Sequence, residues 1–135
     1  MNSGTHTSSK AFMASRILLG VLAVVMAIFT LPAYLTPTDN PGLSALSGEA
    51  LSLGSTAGAF LGRQLTLIII ALIGVVSGHR LLLAIGGFGI AFMNGHDALL
   101  MGFWGGENMT VVAGAGAAFA LLAAITVLIA IRHAD

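Results

Sequence analysis

The sequence contains no cysteine and very few charged residues. Of its 135 residues, 7% are charged, with five basic and five acidic side chains. The absence of cysteine excludes disulfide bonds, thiolate metal sites and thiol catalysis. A soluble chain carries about 25% charged residues, and so small a number cannot cover the surface of a soluble domain of this length. The shortage of charge therefore predicts a protein whose surface faces lipid.

Several familiar functional signatures are also missing. The formal net charge is zero, so no basic surface is expected for nucleic acid, and nucleic acid is not an expected partner. The sequence contains no Walker loop, no paired-histidine zinc motif and no Ser–His–acid arrangement. The glycines at 86, 87 and 89 do not form a dinucleotide-binding fingerprint, because no strand precedes them. We therefore expect no metal and no cofactor.

The sequence does have four long apolar segments. About 20 helical residues cross a hydrocarbon core of about 30 Å, and backbone amides in lipid must be paired, so these segments should be helices. We predict an all-α, antiparallel up-down bundle of four transmembrane helices in one domain, residues 16–135, after a flexible cytoplasmic tail, residues 1–15. A signal peptide is the alternative for the first segment, but that segment exceeds the usual apolar length. The predicted spans are about 17–35, 57–76, 81–103 and 110–131.

The basic residues that flank the spans predict the orientation of the chain. All of them fall on the side of the two termini and of the second link, whereas the other two links carry only acidic residues. The positive-inside rule then places both termini and the second link in the cytoplasm. The basic residues are Lys10, Arg16, Arg80 and Arg132, and the acidic ones are Asp39, Glu49 and Glu107.

The links and the small residues make further predictions about packing. Residues 77–80 are too few for anything but a tight hairpin. In the first link, Leu43, Leu46, Ala50 and Leu53 are spaced as in a short interfacial helix; an irregular loop is the alternative. Small residues at helix-packing intervals predict close contacts within the bundle, with dimer formation as the alternative. They are Gly54, Gly58 and Gly62, then Gly86, Gly87 and Gly89, then Ala113, Gly114, Ala117 and Ala118.

Two opposite charges are expected at the same depth of the membrane. Arg63 and Asp97 each lie about six residues inside the outer end of their spans, roughly 9 Å below the boundary at 1.5 Å per residue. An isolated charge at a helix centre costs about 2.5–3.5 kcal/mol on insertion scales, and less near the interface. The sequence therefore predicts an ion pair or charge-assisted hydrogen bond between Arg63 and Asp97. Such a pair is either a structural latch, which means a contact that fixes the register of the two helices, or part of a functional pocket.

Other polar residues lie close to this pair. Gln64 adjoins Arg63, Asn94 shares the helix face of Asp97, and His96 lies beside Asp97 but about 100° around the helix. These residues are confined to the outer half of the predicted bundle, and the inner half is nearly free of polar side chains. The pattern favours a site that opens outward or sideways into lipid over a continuous polar channel.

The chain resembles the DoxX-like class of small four-helix bacterial membrane proteins across most of residues 16–131. The resemblance is carried by Arg16-Ile17-Leu18-Leu19-Gly20 with Pro32, by Gly62-Arg63, and by Asn94-Gly95-His96-Asp97-Ala98. It implies the four-helix fold and a location in the bacterial cytoplasmic membrane. Some members of that class are linked to respiratory or redox-associated complexes through a quinone-type partner. This chain departs from redox members in having no cysteine, no haem-ligand pair and no obvious quinone motif.

Two functional hypotheses follow from these observations. The first, which the sequence favours, is a non-enzymatic bundle that acts as a subunit or assembly partner, packing on another membrane protein or on a second copy. In the second, a small lipophilic ligand such as a quinone, an isoprenoid or a lipid binds or is transformed at the outer polar residues. There Asp97 or His96 would act as acid or base, and Arg63 would hold an anion or orient Asp97.

Overall fold

The computed structural model describes residues 4–132, and across that range the chain forms four α-helices. They are α1 (Gly4–Thr30), α2 (Thr56–Ser77), α3 (Arg80–Trp104) and α4 (Thr110–Arg132). The predicted all-α class is confirmed. Each helix is long because its sequence is apolar and lacks internal proline, so the backbone hydrogen bonds continue without interruption.

The helices have the length and composition of membrane spans. Within the described residues, three segments are long and apolar enough to cross a bilayer: Lys10–Tyr34, Gly48–Ser77 and Thr110–Arg132. Helix α3 is not among them; it carries Asn94, His96 and Asp97, which lower its hydropathy. Large apolar side chains are exposed on every helix, among them Ile17, Ile28, Val76, Phe88, Leu121 and Leu128. The chain is an integral membrane protein whose outer surface contacts lipid.

The four helices form an antiparallel ring. A Cβ added at Gly74 of α2 would lie 2.7 Å from the backbone nitrogen of Leu83, near the start of α3, so the two helices run in opposite directions. A Cβ at Gly87 of α3 would lie 2.9 Å from the hydroxyl of Thr126, near the end of α4. Helix α1 packs between α2 and α4. The shared core consists of Leu19, Leu22, Ala23, Met26, Ile68, Ala71, Leu83, Ile90, Met93, Ala123 and Ala130.

The predicted role of the small residues holds for the glycines of α3 but not for every member of the other two sets. A Cβ at Gly86 would lie 2.7 Å from the Cα of Ala71, and one at Gly89 would overlap the side chain of Leu67. By contrast, Gly54, Gly62 and Gly114 have no neighbouring atom within 4 Å of such a Cβ. These three glycines therefore do not mediate helix contacts within the chain, and the prediction was wrong for them.

The first link is neither a single interfacial helix nor an irregular loop. Between residues 31 and 55 it forms short 3-10 turns at Pro32–Tyr34, Pro37–Asp39, Pro41–Leu43 and Gly48–Leu51. Proline opens three of these turns because it lacks the N–H that a continuing helix would need. Leu43, which was expected to face lipid, is instead buried with Ala33, Ala57 and Leu61 in a second apolar cluster. The link is a compact cap, which we call the outer cap (residues 31–55), over the ends of α1 and α2.

Two boundaries of α1 differ from the predicted ones. The helix begins at Gly4, so the segment predicted as a flexible tail is helical from residue 4, and residues 1–3 lie outside the described part. The helix ends at Thr30 rather than near residue 35, because Pro32 starts a 3-10 turn. The tight hairpin between α2 and α3 is present, with Gly78 in the left-handed conformation at φ 66°.

Arg16 stabilises the end of the bundle that lies opposite the outer cap. Its Nε donates a hydrogen bond of 3.0 Å to the carbonyl oxygen of Val75, and its guanidinium also reaches the carbonyl oxygen of Val76. These carbonyls belong to the last turn of α2, where oxygens lack helical partners and a cation is favoured. The middle of α1 is thereby joined to the end of α2.

Candidate functional site

A cavity of about 200 Å³ lies in the half of the bundle next to the outer cap, and every helix contributes to its wall. We call it the four-helix cavity. Four polar side chains, Asn40, Gln64, Asn94 and Asp97, reach a wall that is otherwise largely apolar. The apolar lining includes Met26, Phe29, Phe60, Ala98, Met101, Val112, Ala115 and Phe119. Such a mixture is typical of small-molecule sites, where a few polar groups orient a largely apolar ligand.

Gln64 is held in place by a buried hydrogen-bond network. The hydroxyl of Thr30 donates to Oε1 of Gln64 at 2.8 Å, and Nδ2 of Asn40 donates to the same oxygen at 3.1 Å. Thr30 is 0% and Asn40 2% exposed. Nε2 of Gln64 makes no hydrogen bond within residues 4–132. Because no buried side-chain nitrogen or oxygen in that range lacks a partner, this nitrogen is not buried. Its N–H groups are therefore available to a molecule in the four-helix cavity.

Asn40 also attaches the outer cap to the helices. Besides Gln64, its Nδ2 has a second acceptor, the carbonyl oxygen of Phe29 at 3.3 Å. Its Oδ1 accepts a hydrogen bond from the backbone N–H of Gly42 at 2.9 Å. The Phe29 contact is to α1, while the Gln64 contact is to α2. A single amide thus joins two helices and the cap directly above the cavity.

Asn94 presents an acceptor from α3. Its Nδ2 donates to the carbonyl oxygen of Ile90 at 2.9 Å, one turn earlier in the same helix, and lies 3.9 Å from Sδ of Met26. With both amide hydrogens turned toward protein acceptors, the Oδ1 of Asn94 is the atom left for a ligand. The cavity therefore offers donors from Gln64 and acceptors from Asn94 and Asp97.

A second and larger opening, about 560 Å³, separates the outer halves of α2 and α3. We call it the α2–α3 groove. The helices are in close contact at Gly74, Gly86 and Gly89, and they diverge toward the outer end. From α2 the groove is lined by Gly62, Arg63, Thr66 and Leu67, and from α3 by Gly89, Phe92, Met93, His96 and Asp97. Asp97 lines both the groove and the four-helix cavity, so its side chain forms part of the wall between the two openings.

The predicted ion pair between Arg63 and Asp97 is not formed. Both residues are described, and no nitrogen of Arg63 lies within 4.0 Å of a carboxylate oxygen of Asp97. Oδ1 of Asp97 instead lies 3.2 Å from Nδ1 of His96, and the Arg63 guanidinium lies 5.7 Å from the ring centroid of Phe60. The divergence of the two helices separates the charges, and each side chain turns to a neighbour on its own helix.

Aromatic rings continue from His96 along α3. Phe88, Phe92 and His96 are one turn apart and stack successively, with centroid separations of 6.1 and 6.2 Å. Phe92 is 64% exposed on the bundle surface. The groove therefore has a polar outer end at Arg63, His96 and Asp97 and an apolar strip that leads inward along the helix.

All five candidate residues from the sequence line one of the two openings. Arg63 and His96 line the groove, Gln64 and Asn94 line the four-helix cavity, and Asp97 lines both. Sequence reasoning missed Thr30 and Asn40, which position Gln64. In the sequence, Thr30 is only a polar residue near the end of the first span, and Asn40 is only one of several turn-forming residues in the first link.

The site is one for hydrogen bonding and apolar contact. Among the described residues, no group of three or more His, Cys, Asp or Glu side chains could hold a metal ion. A cationic donor, a carboxylate, a histidine and two amides converge from α2 and α3 beside apolar walls. This arrangement suits an elongated molecule with one polar end.

In comparisons with known proteins, the chain matches no protein family, no curated protein sequence and no solved structure. The resemblance to the DoxX-like class therefore stays a prediction, and the function has to be argued from the geometry of the site.

Proposed function

We propose that this membrane protein binds a small amphipathic molecule, such as a quinone, an isoprenoid or a lipid, at the outer polar site around Arg63 and Asp97. One observation carries the proposal: two opposite charges line the same groove without pairing, and the groove continues into apolar walls. The sequence favoured a structural latch because a direct ion pair would have explained both charges. Without that contact, the latch loses its main support.

The energetics favour a bound polar group at this position. A charged side chain at membrane depth is costly unless it finds a partner, and such residues line substrate paths or water-filled cavities. Among the described residues, the Arg63 guanidinium has no hydrogen-bonded acceptor, and its contact is with the face of Phe60. A ligand head group between α2 and α3 would supply the missing acceptor. The rest of the ligand would contact Leu67, Phe92 and Met93.

The shape of the groove supports entry from the membrane. His96 is 52% exposed at the outer end of the groove, and Phe92 is still more exposed. In a bilayer these exposed surfaces face lipid, so a hydrophobic molecule can reach the groove sideways without entering water. The four-helix cavity, which shares Asp97 with the groove, would receive the part of the ligand that passes between the helices.

We further propose that α3 is the fourth span and that both termini lie in the cytoplasm. Helix α3 has 25 residues, which is enough to cross the hydrocarbon core. Its polar residues line the groove and the four-helix cavity, where a ligand or water can satisfy them. Arg16, Arg80 and Arg132 belong to the same end of the antiparallel ring, as the positive-inside rule requires for the cytoplasmic face.

Native mass spectrometry of the gently extracted protein tests the binding proposal. We expect a co-purifying small molecule on the wild-type protein and its loss from Gly62→Leu, because a side chain at Gly62 enters the groove. Gly114→Leu is the matched control, since both glycines are helical and have open space around them, but Gly114 lines neither opening. Equal ligand occupancy in the two variants, or no ligand on any of them, would contradict the proposal.

A role as a subunit or assembly partner is the second candidate, and helix α4 favours it. Its candidate span is the least buried of the three, and Gly114 and Ala118 are both exposed. Small exposed residues four apart allow a second helix to approach closely. The same measurement separates the two candidates: Gly114→Leu would then abolish an oligomer or partner complex while leaving the ligand of the groove bound.

A further inference from the structure

The two charges of the α2–α3 groove have complementary hydrogen-bonding roles. The guanidinium of Arg63 only donates, and the ionised carboxylate of Asp97 only accepts. They stand on different helices, and no ion pair joins them. In the described part of the chain, Oδ1 of Asp97 has His96 as its neighbour, and Oδ2 makes no hydrogen bond to the protein. One wall of the groove therefore offers donors and the other offers an acceptor.

This arrangement discriminates between types of head group. A phosphate or a carboxylate would accept from Arg63 but would be repelled by Asp97, and an ammonium group would donate to Asp97 but would be repelled by Arg63. These repulsions are strong where water is scarce. A hydroxyl group donates one hydrogen bond and accepts others, so it satisfies both residues and adds no charge.

The overall charge of the groove agrees with an uncharged ligand. With His96 neutral, Arg63 and Asp97 sum to zero, and no other Asp, Glu, Lys or Arg lines the groove among the described residues. The groove therefore does not favour either sign of ligand charge. The specificity for the head group therefore has to come from the donor of Arg63 and the acceptor of Asp97 acting together. A charged head group satisfies only one of these two residues.

We infer that the ligand is a long-chain or isoprenoid alcohol taken from the outer leaflet of the membrane, with its hydroxyl group between Arg63 and Asp97. This inference rests on the proposed function and names the chemical class of its ligand. The hydroxyl hydrogen donates to the Asp97 carboxylate, and the hydroxyl oxygen accepts from Arg63. The chain lies along Leu67, Gly89 and Phe92, which line the groove on its two sides.

Photocrosslinking in lipid nanodiscs tests the inference with four diazirine probes of the same alkyl chain. The probes carry a hydroxyl, a phosphate, a carboxylate or an amine as head group. We expect the alcohol to label the peptides of α2 and α3 with at least about tenfold higher affinity than the other probes, the usual scale for one lost charge-assisted hydrogen bond. An excess of an unlabelled isoprenoid alcohol should compete with it.

Single charge-removing variants should change the preference in opposite directions. Asp97→Asn removes the repulsion of anions, so the phosphate and carboxylate probes should bind about tenfold more tightly than they bind the wild type. Arg63→Gln should produce the corresponding gain for the amine probe. A gain of binding can occur only in a folded protein, so misfolding cannot imitate this result. Asp39→Asn and Arg132→Gln, which change the same residue types outside the groove, are the controls and should leave the preference unchanged.

The possible outcomes separate the inference from the proposed function. If no probe labels α2 and α3 above the control level, the binding proposal itself fails. If a phosphate, carboxylate or amine probe labels the wild-type groove best, an amphipathic ligand is supported but the alcohol is excluded. If all probes label equally and neither variant changes the order, Arg63 and Asp97 do not select the head group, and the inference is overturned.

Discussion

At the scale of single residues, Asn40 is the side chain on which the outer end of the bundle depends most directly. Its amide joins the carbonyl of Phe29, the side chain of Gln64 and the N–H of Gly42. We expect Asn40→Ala to lower the free energy of unfolding by about 1–3 kcal/mol, because it leaves buried polar groups without partners. Thermal unfolding in detergent, followed by circular dichroism, measures the change.

The adjacent residue supplies the control for this prediction. Asp39→Ala changes an exposed side chain in the same cap that makes no hydrogen bond within the described residues, so stability should change by less than about 0.5 kcal/mol. Equal destabilisation by both variants would mean that the cap responds to any substitution. The network around Asn40 would then not hold the cap in place.

The sequence predicts where the site residues lie better than it predicts their partners. The depth of Arg63 and Asp97 follows from the helical rise and the short hairpin, and both residues line the groove. Their partners depend on side-chain directions, which the sequence pattern leaves open. Phe60, one turn before Arg63, provides an aromatic face for the guanidinium, and His96 provides a nitrogen next to Asp97.

At the scale of the helices, glycine decides where α2 and α3 meet and where they separate. A Cβ at Gly86 would lie 2.7 Å from the Cα and 2.9 Å from the nitrogen of Ala71, and backbone atoms cannot move aside as a flexible side chain can. We expect Gly86→Ala to lower the free energy of unfolding by about 1–3 kcal/mol through overpacking, even though alanine favours the helix. Chemical or thermal unfolding in detergent provides the measurement.

Gly114→Ala is the matched substitution for this test. Gly114 is also inside a helix, but nothing lies within 4 Å of a Cβ added there. The variant should be neutral or more stable by up to about 1 kcal/mol, because only the helix propensity changes. If Gly86→Ala were as stable as Gly114→Ala, close backbone contact would not be what holds α2 against α3.

The helices and the outer cap differ in how far their sequences predict them. Apolar length predicts α2 and α4 to within two residues at each end, because in lipid every backbone amide must be paired internally. The outer cap lies outside this constraint. Its leucines are spaced as on a helix, but the backbone forms two separate turns, Pro41–Leu43 and Gly48–Leu51, with Gly48 in the left-handed conformation at φ 59°. Leu43 packs inward against Leu61. Spacing alone does not reveal that inward packing.

At the scale of the whole molecule, the site depends on the asymmetry between the two halves of the bundle. In the inner half, glycines and alanines bring α2 and α3 into contact, and Arg16 covers the end of α2. In the outer half the same helices separate and enclose polar side chains under the cap. A site open at one end suits binding from one leaflet, proposed above to be the outer one, better than passage across the membrane. That conclusion requires α3 to cross the bilayer.

The path of α3 can be tested with introduced thiols, because the chain has no cysteine to react in the background. Single variants Asp39→Cys, His79→Cys and Glu107→Cys place a thiol in each link between helices, at positions that are exposed. We expect a membrane-impermeant maleimide to label positions 39 and 107 in intact cells, and position 79 only after permeabilisation. If α3 lay along the surface instead, positions 79 and 107 would react from the same side. Asp97 and Arg63 could not then share one depth in the membrane, and the lipid-facing groove would not exist.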